Sequence, residues 1–573
     1  MRAANSANGT EGHTDWNAVN WRKVNGRVRN LRRRIFRATQ EGDYRKVRSL
    51  QKLMLRSYSN TLQSVRRATQ DNAGRKTAGV DMVLVKTPKA RGALVDDLMQ
   101  FQPWRAKPAR RIYIPKSNGK RRPLGIPTIQ DRCHQAKVKN ALEPEWEAKF
   151  ETCSYGFRPG RGCHDAVEDV WSLTSQGKRV WVLDADIQGA FDTIDHRALL
   201  TSIRNVPGRT LIRQWLKAGF VEAGKRHETP AGTPQGGIIS PLLANIALHG
   251  METALSIKRR QNPAHKGYRD EKNAYALVRY ADDFVVLTRT QKQAEEALTL
   301  LKPWLAERGL CLSEEKTRIV HLRQGFDFLG FTFRQFPSKR KRSGRVLLTT
   351  PSKKSVQRLK NRLRDEWLSL RGEDAKTVVK RLNPIIMGWA NYFRTGTASE
   401  TFRKLDAYMF RRECRYINHT HPNKPRKWKD KRYFGSLNRE RPFDRWVFGD
   451  KEQGLYLWKF RWTAIQRHVK VKGDASIDDP NLTAYWEKRN RKSAFLHPIY
   501  SQIAHYQSHV CPICGEALQN GEPLQRHHMI LDRNDPERKR LRNQRLLHLY
   551  CHQQVHSKAD RSPAAQELLW DAS

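Results

Sequence analysis

The stretch Val278-Arg279-Tyr280-Ala281-Asp282-Asp283-Phe284-Val285-Val286-Leu287 sets two adjacent carboxylates between two apolar runs. Short runs rich in β-branched and aromatic residues read as strands, so the paired aspartates occupy the tight turn of a β-hairpin. Another apolar run, Val180-Trp181-Val182-Leu183-Asp184-Ala185-Asp186-Ile187, carries a further carboxylate at its end, Asp186. Phosphoryl transfer uses two Mg²⁺ about 3.5 to 4 Å apart, and carboxylate oxygens are the ligands such hard ions prefer. Three aspartates on two neighbouring strands would supply them. Asp282 and Asp283 alone would also suit a solvated turn, where Asp is favoured for local hydrogen-bonding reasons. Asp184 lies two residues from Asp186, hence on the same strand face, and the residues alone leave the choice between the two open.

Outward from this hairpin, the spacing predicts a strand at Arg111-Ile112-Tyr113-Ile114-Pro115 and a helix face at Val47, Leu50, Met54, Tyr58, Leu62 and Val65, closed by the turn residues Asn72-Ala73-Gly74-Arg75. Strands alternating with helices predict an α/β or α+β core. Beyond the basic, turn-rich run from Pro337 to Arg345, helical spacing returns at Val356, Leu359, Leu363, Trp367 and Leu370 and opens a helical domain. At 573 residues the chain exceeds what one core can fill, since single cores stop growing near ~250 to 300 residues.

Lys and Arg number 108 against 57 Asp and Glu, a formal charge of +51 that repels itself unless a polyanion neutralises it. Nucleic acid is the partner this implies. Two places concentrate the charge: six Arg between Arg27 and Arg37, read as an arm that orders on phosphate, and six Lys or Arg between Lys424 and Arg432 around Trp428, read as a linker or small nucleic-acid-binding domain. The longest uncharged stretch, Thr229 to Met251, holds three Pro and four Gly, so no membrane span is expected. The polar N-terminus lacks the apolar core of a secretory signal, which predicts an intracellular protein. Of eight Cys, Cys511, Cys514 and Cys551 lie close together, a pattern for metal rather than disulfides.

Further motifs occur in order over roughly residues 70 to 335: Lys120-Arg121-Arg122-Pro123-Leu124-Gly125-Ile126-Pro127, Ser154-Tyr155-Gly156-Phe157-Arg158-Pro159, the Asp186 run continuing through Phe191, Gly232-Thr233-Pro234-Gln235-Gly236-Gly237, the Asp282-Asp283 hairpin, Leu312-Ser313-Glu314-Glu315-Lys316-Thr317 and Phe328-Leu329-Gly330-Phe331. This series resembles the reverse transcriptases of group II introns. The resemblance implies fingers and palm of a right-hand polymerase, with Asp186, Asp282 and Asp283 as Mg²⁺ ligands. It also implies Lys116 and Arg122 on the incoming triphosphate, Phe191 beneath the sugar excluding a 2′-hydroxyl, Gln235 at the nucleotide or template, and Lys316 as acid for the leaving pyrophosphate. Leu382 to Phe393 is similar to the thumb, or maturase, domain of the same family and implies intron RNA binding, with Trp389 and Tyr392 packing the thumb.

Near the C-terminus stand Cys511-Pro512-Ile513-Cys514, His527-His528, Asn543 and His548-Leu549-Tyr550-Cys551-His552, then His556. The pattern resembles an HNH nuclease, a ββα-metal unit stapled by zinc because it is too small to fold on its own core. By that resemblance His527 helps hold a catalytic metal, His528 is general base, Asn543 orients it, and His552, or alternatively His556, completes the metal site. The zinc shell would be Cys511, Cys514, His548 and Cys551, with His552 competing for the place of His548. A zinc knuckle that binds DNA without cutting it is the alternative.

The expected layout is a basic extension over residues 1–70, fingers and palm over 71–335, thumb over 336–423, a DNA-binding region over 424–504 and the HNH unit over 505–573. The expected partners are intron RNA, double-stranded target DNA and deoxynucleotides, in a ribonucleoprotein of the bacterial cytoplasm or an organelle. A reverse transcriptase of a retron, a diversity-generating element or a defence system would leave the thumb and HNH motifs unexplained. A splicing cofactor with a decayed polymerase would show damage at Asp186, Asp282 or Asp283, and all three are present.

Overall fold

The computed structural model describes residues 13–115, 119, 121–259, 273–341, 344–491, 498–520, 522–530, 532 and 534–559. Lys116 and Lys120 lie outside them.

The predicted hairpin is present. Strands Ala276–Tyr280 and Asp283–Thr288 pair antiparallel, and the second pairs with Trp181–Asp186, which continues to Arg318–His321. The register sets Asp186 opposite Asp283 and Leu183 opposite Val286. Alternation sends Leu183, Ala185, Leu277, Phe284 and Val286 into one core with the helix Gln291–Ala306, while Val182, Val278, Val285 and Leu287 enter a second core. Both faces of this sheet are covered, so its strands read as nearly continuous apolar runs.

The fingers are a four-stranded sheet built on the hairpin Ala109–Pro115 with Arg121–Ile126, extended by Phe220–Glu222 and Lys225–His227. The run from Pro337 to Arg345 is the connection between the paired strands Phe331–Pro337 and Arg345–Pro351. After it come three helices in the region expected as the thumb, Lys353–Ser369, Ala375–Phe393 and Ser399–Thr420, with Leu359, Leu363, Trp367 and Leu370 buried as the spacing predicts. Trp389 packs tilted against Phe393, ring centroids 4.3 Å apart, and Tyr392 ties thumb to palm through Phe331, its hydroxyl donating to the Leu329 carbonyl at 2.9 Å.

The Arg-rich stretch is no arm. Residues Trp21–Gln40 form a 20-residue helix, capped at Asn20, whose face of Trp21, Val24, Val28, Ile35 and Phe36 is buried. Arg32 is itself half-buried, bonded to Asp478 at 2.7 Å and Glu143 at 3.0 Å, so its charge is matched within the protein. The following helices Tyr44–Arg56 and Tyr58–Arg66 pack with it on Ile129–Glu147, and Asn72 ends the run as its turn chemistry predicts.

The segment after the thumb returns to the palm. On the palm helix Cys163–Thr174, Asp165 accepts from His468 and Arg489, both at 2.8 Å, and Asp169 pairs with Lys470 at 2.5 Å. Near the C-terminus the strands Leu524–His528 and Gln544–His548 pair antiparallel and lead into the helix Leu549–Ala559. This ββα unit does not stand apart. Its Leu546, Leu547, Cys551 and Val555 share one core with Trp16, Trp21, Leu62, Val65 and Leu98.

Candidate active and metal sites

Asp186 ends its strand directly across from Asp283, and Asp282 precedes Asp283 in the turn, so three carboxylates meet at one end of the palm sheet. Burial, then the carboxylate of Asp282 and a hydrogen bond with Asp186, pushes Asp283 up to about 7; burial also raises Asp282. Carboxylates crowded at one point repel one another and so make a platform that suits a divalent cation. Lys316 reaches into the cluster, its Nζ 2.5 Å from Asp186, and this hydrogen bond holds the Lys316 ammonium in its charged form. Asp184 instead takes Arg318 at 3.0 Å.

The turn is held by residues that sequence reasoning passed over. Ala281 sits at φ +58°, and Gly156 packs so close that a Cβ on it would stand 2.3 Å from the Ala281 nitrogen. Arg279, fully buried, donates to the Ala281 carbonyl at 3.2 Å and to the Asn245 side chain at 3.1 Å, while Asn245 donates to the Gly156 carbonyl at 2.8 Å. An Arg inside an apolar strand was the signal available in the sequence: burying so costly a group calls for partners, here the Ala281 carbonyl and the Asn245 side chain on Nη1.

Phe191 is buried against Phe157, their rings 6.1 Å apart edge to face. It lines a cavity of about 310 Å³ together with Arg111, Tyr113, Gly125, Pro234 and Gln235. The loop carrying Gln235 lies directly on the Phe191 segment, with Thr233 N donating to Phe191 O and Gly232 N to Ile194 O. Gln235 bridges charges, donating through Nε2 to Asp192 at 3.0 Å and accepting from Arg122 at 2.9 Å. Arg122, Phe191 and Gln235 are therefore together, and Asp192 joins them unforeseen.

At the C-terminal unit, Cys511, Cys514, His548 and Cys551 are all buried, with one donor atom from each within 4.8 Å of the others. Three thiols and an imidazole at this spacing fit a tetrahedral zinc. His548 turns Nδ1 toward Cys514 at 3.3 Å and Nε2 toward the Ala517 carbonyl at 3.3 Å, an outer bond that fixes the ring. Arg66 donates to Cys551 Sγ at 3.6 Å from the N-terminal helices.

A second group is His527, His552 and His556, again within 4.8 Å. Burial, then the rings of His552 and His556, pushes His527 down to about 4, which keeps it neutral as a metal ligand must be. His552 belongs to this group and not to the sulfur cluster. His528 is oriented by the Arg538 carbonyl at 3.1 Å, whereas Asn543 donates to the Glu537 carbonyl at 2.9 Å. Asn543 thus spends its amide on the backbone and not on the ring it was expected to orient; it braces the turn Pro536–Lys539 that presents the Arg538 carbonyl.

Among the described residues no helix is long and apolar enough to cross a membrane. Residues 114–333 match the model of the reverse transcriptase (RNA-dependent DNA polymerase) family, residues 16–98 the N-terminal domain of reverse transcriptase, and residues 356–434 the group II intron maturase-specific domain. Protein YkfC of Escherichia coli is 38% identical over 325 residues, covering 50% of this chain and 84% of that protein. Group II intron-encoded protein LtrA of Lactococcus lactis is 36% identical over 296 residues, 42% of this chain and about half (49%) of that protein's length. Maturase-like protein 1 of Euglena gracilis is 26% identical over 383 residues, covering 65% and 76%. With the polymerase, N-terminal and maturase matches following one another along a mixed α/β palm and helical thumb, the chain belongs to the group II intron-encoded reverse transcriptase and maturase family.

Proposed function

We propose that this protein binds its intron RNA, assists its splicing, and copies it into DNA at a target that its own C-terminal unit has cut. The observation that carries the polymerase reading is the register of Asp186 on Asp283 with Asp282 at the adjoining turn. Mg²⁺ bound there supplies charge neutralisation and an activated primer oxygen. The chain's own groups do the rest. Asp186, Asp282 and Asp283 hold the ions, Arg122 and Lys116 take the triphosphate, and Gln235 positions base or template from the loop laid over Phe191. Phe191 fills the place a 2′-hydroxyl would need, which selects deoxynucleotides. Lys316, held charged by Asp186, carries a proton beside the site of pyrophosphate release.

The nuclease reading rests on the second histidine group. A zinc staple needs only Cys511, Cys514, His548 and Cys551, and a second group gathers three further imidazoles, those of His527, His552 and His556. These three would hold a catalytic metal beside His528, whose Nδ1 is tied to the Arg538 carbonyl and whose other ring nitrogen would take a proton from water. A staple that binds DNA without cutting is the reading this group disfavours. The proposed layout is an N-terminal helical unit, fingers and palm to about residue 335, thumb to 423, a DNA-binding region to 504 and the HNH unit beyond. The partners are intron RNA, double-stranded DNA and deoxynucleotides.

The test is target-primed synthesis reconstituted from purified protein, transcribed intron RNA, a DNA duplex and deoxynucleotides. The expected result is spliced RNA, one cut strand and DNA copied from that end. Primer extension without strand cutting would remove the nuclease role and leave the polymerase.

A further inference from the structure

Phe443 is 95% exposed, the most exposed large apolar side chain among the described residues. Single exposed apolar residues are ordinary on protein surfaces. This one differs in how it is held. Two successive turns, Arg441 N to Asn438 O at 2.9 Å and Asp444 N to Arg441 O at 3.1 Å, build the loop that carries it. Asn438 is buried at the base of that loop and accepts from Glu440 N at 3.0 Å. On the far side Asp444 is pinned by Lys459 at 2.7 Å and Arg461 at 2.6 Å. Both feet of the loop are fixed and the ring points into solvent.

Its surroundings are mainly cationic, with Glu440 the one exposed acid among the neighbouring residues 439–446. Arg439, Arg441 and Arg445 are exposed within four residues of it, and the carboxylate of Asp444 is spent on its own two cations. Trp446, half exposed, stacks edge-on with Phe410 and Phe434 and continues the aromatic surface toward the thumb helix Ser399–Thr420. Planar faces among arginines accept nucleobases: the ring stacks on a base while guanidinium groups take the flanking phosphates. An apolar protein partner would leave those arginines unmatched.

We propose that Phe443 is a stacking finger for an unpaired base of the bound RNA, held by a rigid loop at the edge of the maturase-matched region. This rests on the reading that the maturase-matched helices grip RNA, and it assigns to RNA the near edge of the region proposed to bind DNA, because Trp446 joins the loop to Phe410 of the helix Ser399–Thr420. Stacking of one base is worth ~1 to 3 kcal/mol, or roughly 5- to 150-fold in affinity. It adds no phosphate contact, so it leaves the salt dependence alone.

The experiment measures equilibrium binding of the full-length protein to intron RNA, to a fully paired RNA duplex and to single-stranded DNA, across a salt series. Phe443→Ala should weaken intron RNA binding about 5- to 150-fold with an unchanged salt slope, leave the duplex unaffected and melt at the wild-type temperature. Phe443→Trp should retain affinity and show quenched fluorescence on binding, whereas Arg441→Ala should lower the salt slope by about one. The proposal is overturned by unchanged RNA affinity in Phe443→Ala, by wild-type affinity in Phe443→Leu, or by a loss confined to DNA. Wild-type protein that fails to bind intron RNA would overturn the underlying reading as well, so the two failures are told apart.

Discussion

Gly156 and Ala281 meet backbone to backbone, and the contact leaves no room for a side chain at residue 156. The turn that aims Asp282 and Asp283 therefore rests on a loop from the fingers side of the palm. Gly156→Ala must push Ala281 aside, moving the carboxylates of Asp282 and Asp283 by a fraction of an ångström to an ångström. Displacements of that size cost about 10²-fold in rate. Primer extension should fall by that order while RNA binding is retained; extension at the wild-type rate would show that the turn tolerates the shift.

Replacing Asp282 and Asp283 with Ala should abolish primer extension on RNA and spare RNA affinity, since the basic surface is unchanged. Gel-based extension and filter binding on the same preparation check both halves. DNA synthesis by the double variant would refute the metal-ligand role.

Trimming Phe191 to Val should enlarge the cavity it lines and raise ribonucleotide use relative to deoxynucleotide use by at least about tenfold, as expected when a steric barrier worth 1.4 kcal/mol or more is removed. Single-nucleotide incorporation assays with paired substrates measure the ratio. An unchanged ratio would take Phe191 out of sugar selection.

The sulfur cluster and the N-terminal helices share a core, so zinc should stabilise more than its own unit. Removal of zinc, by chelation or by Cys551→Ser, should unfold the ββα unit and expose the buried faces of Trp21, Leu62 and Val65 to water. His548→Cys should keep the zinc, and His552→Ala should keep the zinc while losing strand cutting. Metal analysis and hydrogen exchange over residues 16–70 decide it: zinc lost from His552→Ala but held by His548→Ala would exchange the two assignments, and unaltered exchange in the metal-free protein would make the unit independent.

Burial pushes the Glu413 carboxyl up to about 8 within the thumb, with Lys459 opposing the shift and Asp406 and Asp444 adding to it. The folded state therefore holds a proton that the unfolded state releases near pH 4.5. Between those values the unfolded chain binds fewer protons, so this group lowers stability as pH rises from about 4.5 to 8. Glu413→Gln, which stays neutral, should match wild type near pH 4.5 and exceed it at pH 8 by on the order of 1 kcal/mol or more. Thermal melting across pH tests this; parallel curves would mean that Glu413 ionises freely.

Much of the palm was legible because its information is local. Asp186, Asp282 and Asp283 each sit at the end of an apolar run, and strand alternation needs only near neighbours to read. The N-terminal region misled for the opposite reason. Six arginines in eleven positions outweigh Val28, Ile35 and Phe36 by eye, yet Arg32 is neutralised by Asp478, 446 residues away, and by Glu143, 111 residues away. Arg279 and Asn245 were passed over likewise, since what they hold is the backbone of residues 156 and 281. Asn543 was assigned from a motif, and only the folded turn shows that a carbonyl, not the amide, faces His528.

The core that joins residues 16–98 to residues 503–555 also dictates an order of events during synthesis. A ribosome adds ~5 to 20 residues per second, so the apolar faces of the first helices emerge roughly 20 to 90 seconds before the segment that covers them exists. Throughout that interval a nascent chain presents Trp21, Leu62 and Val65 uncovered beside an arginine-rich helix. Premature termination or cleavage ahead of residue 498 would make the condition permanent, turning every incomplete copy into a sticky polycation. Residues 503–555 thus act as a seal on residues 16–98, and a message cut short before them would yield aggregate in place of an uncoupled polymerase.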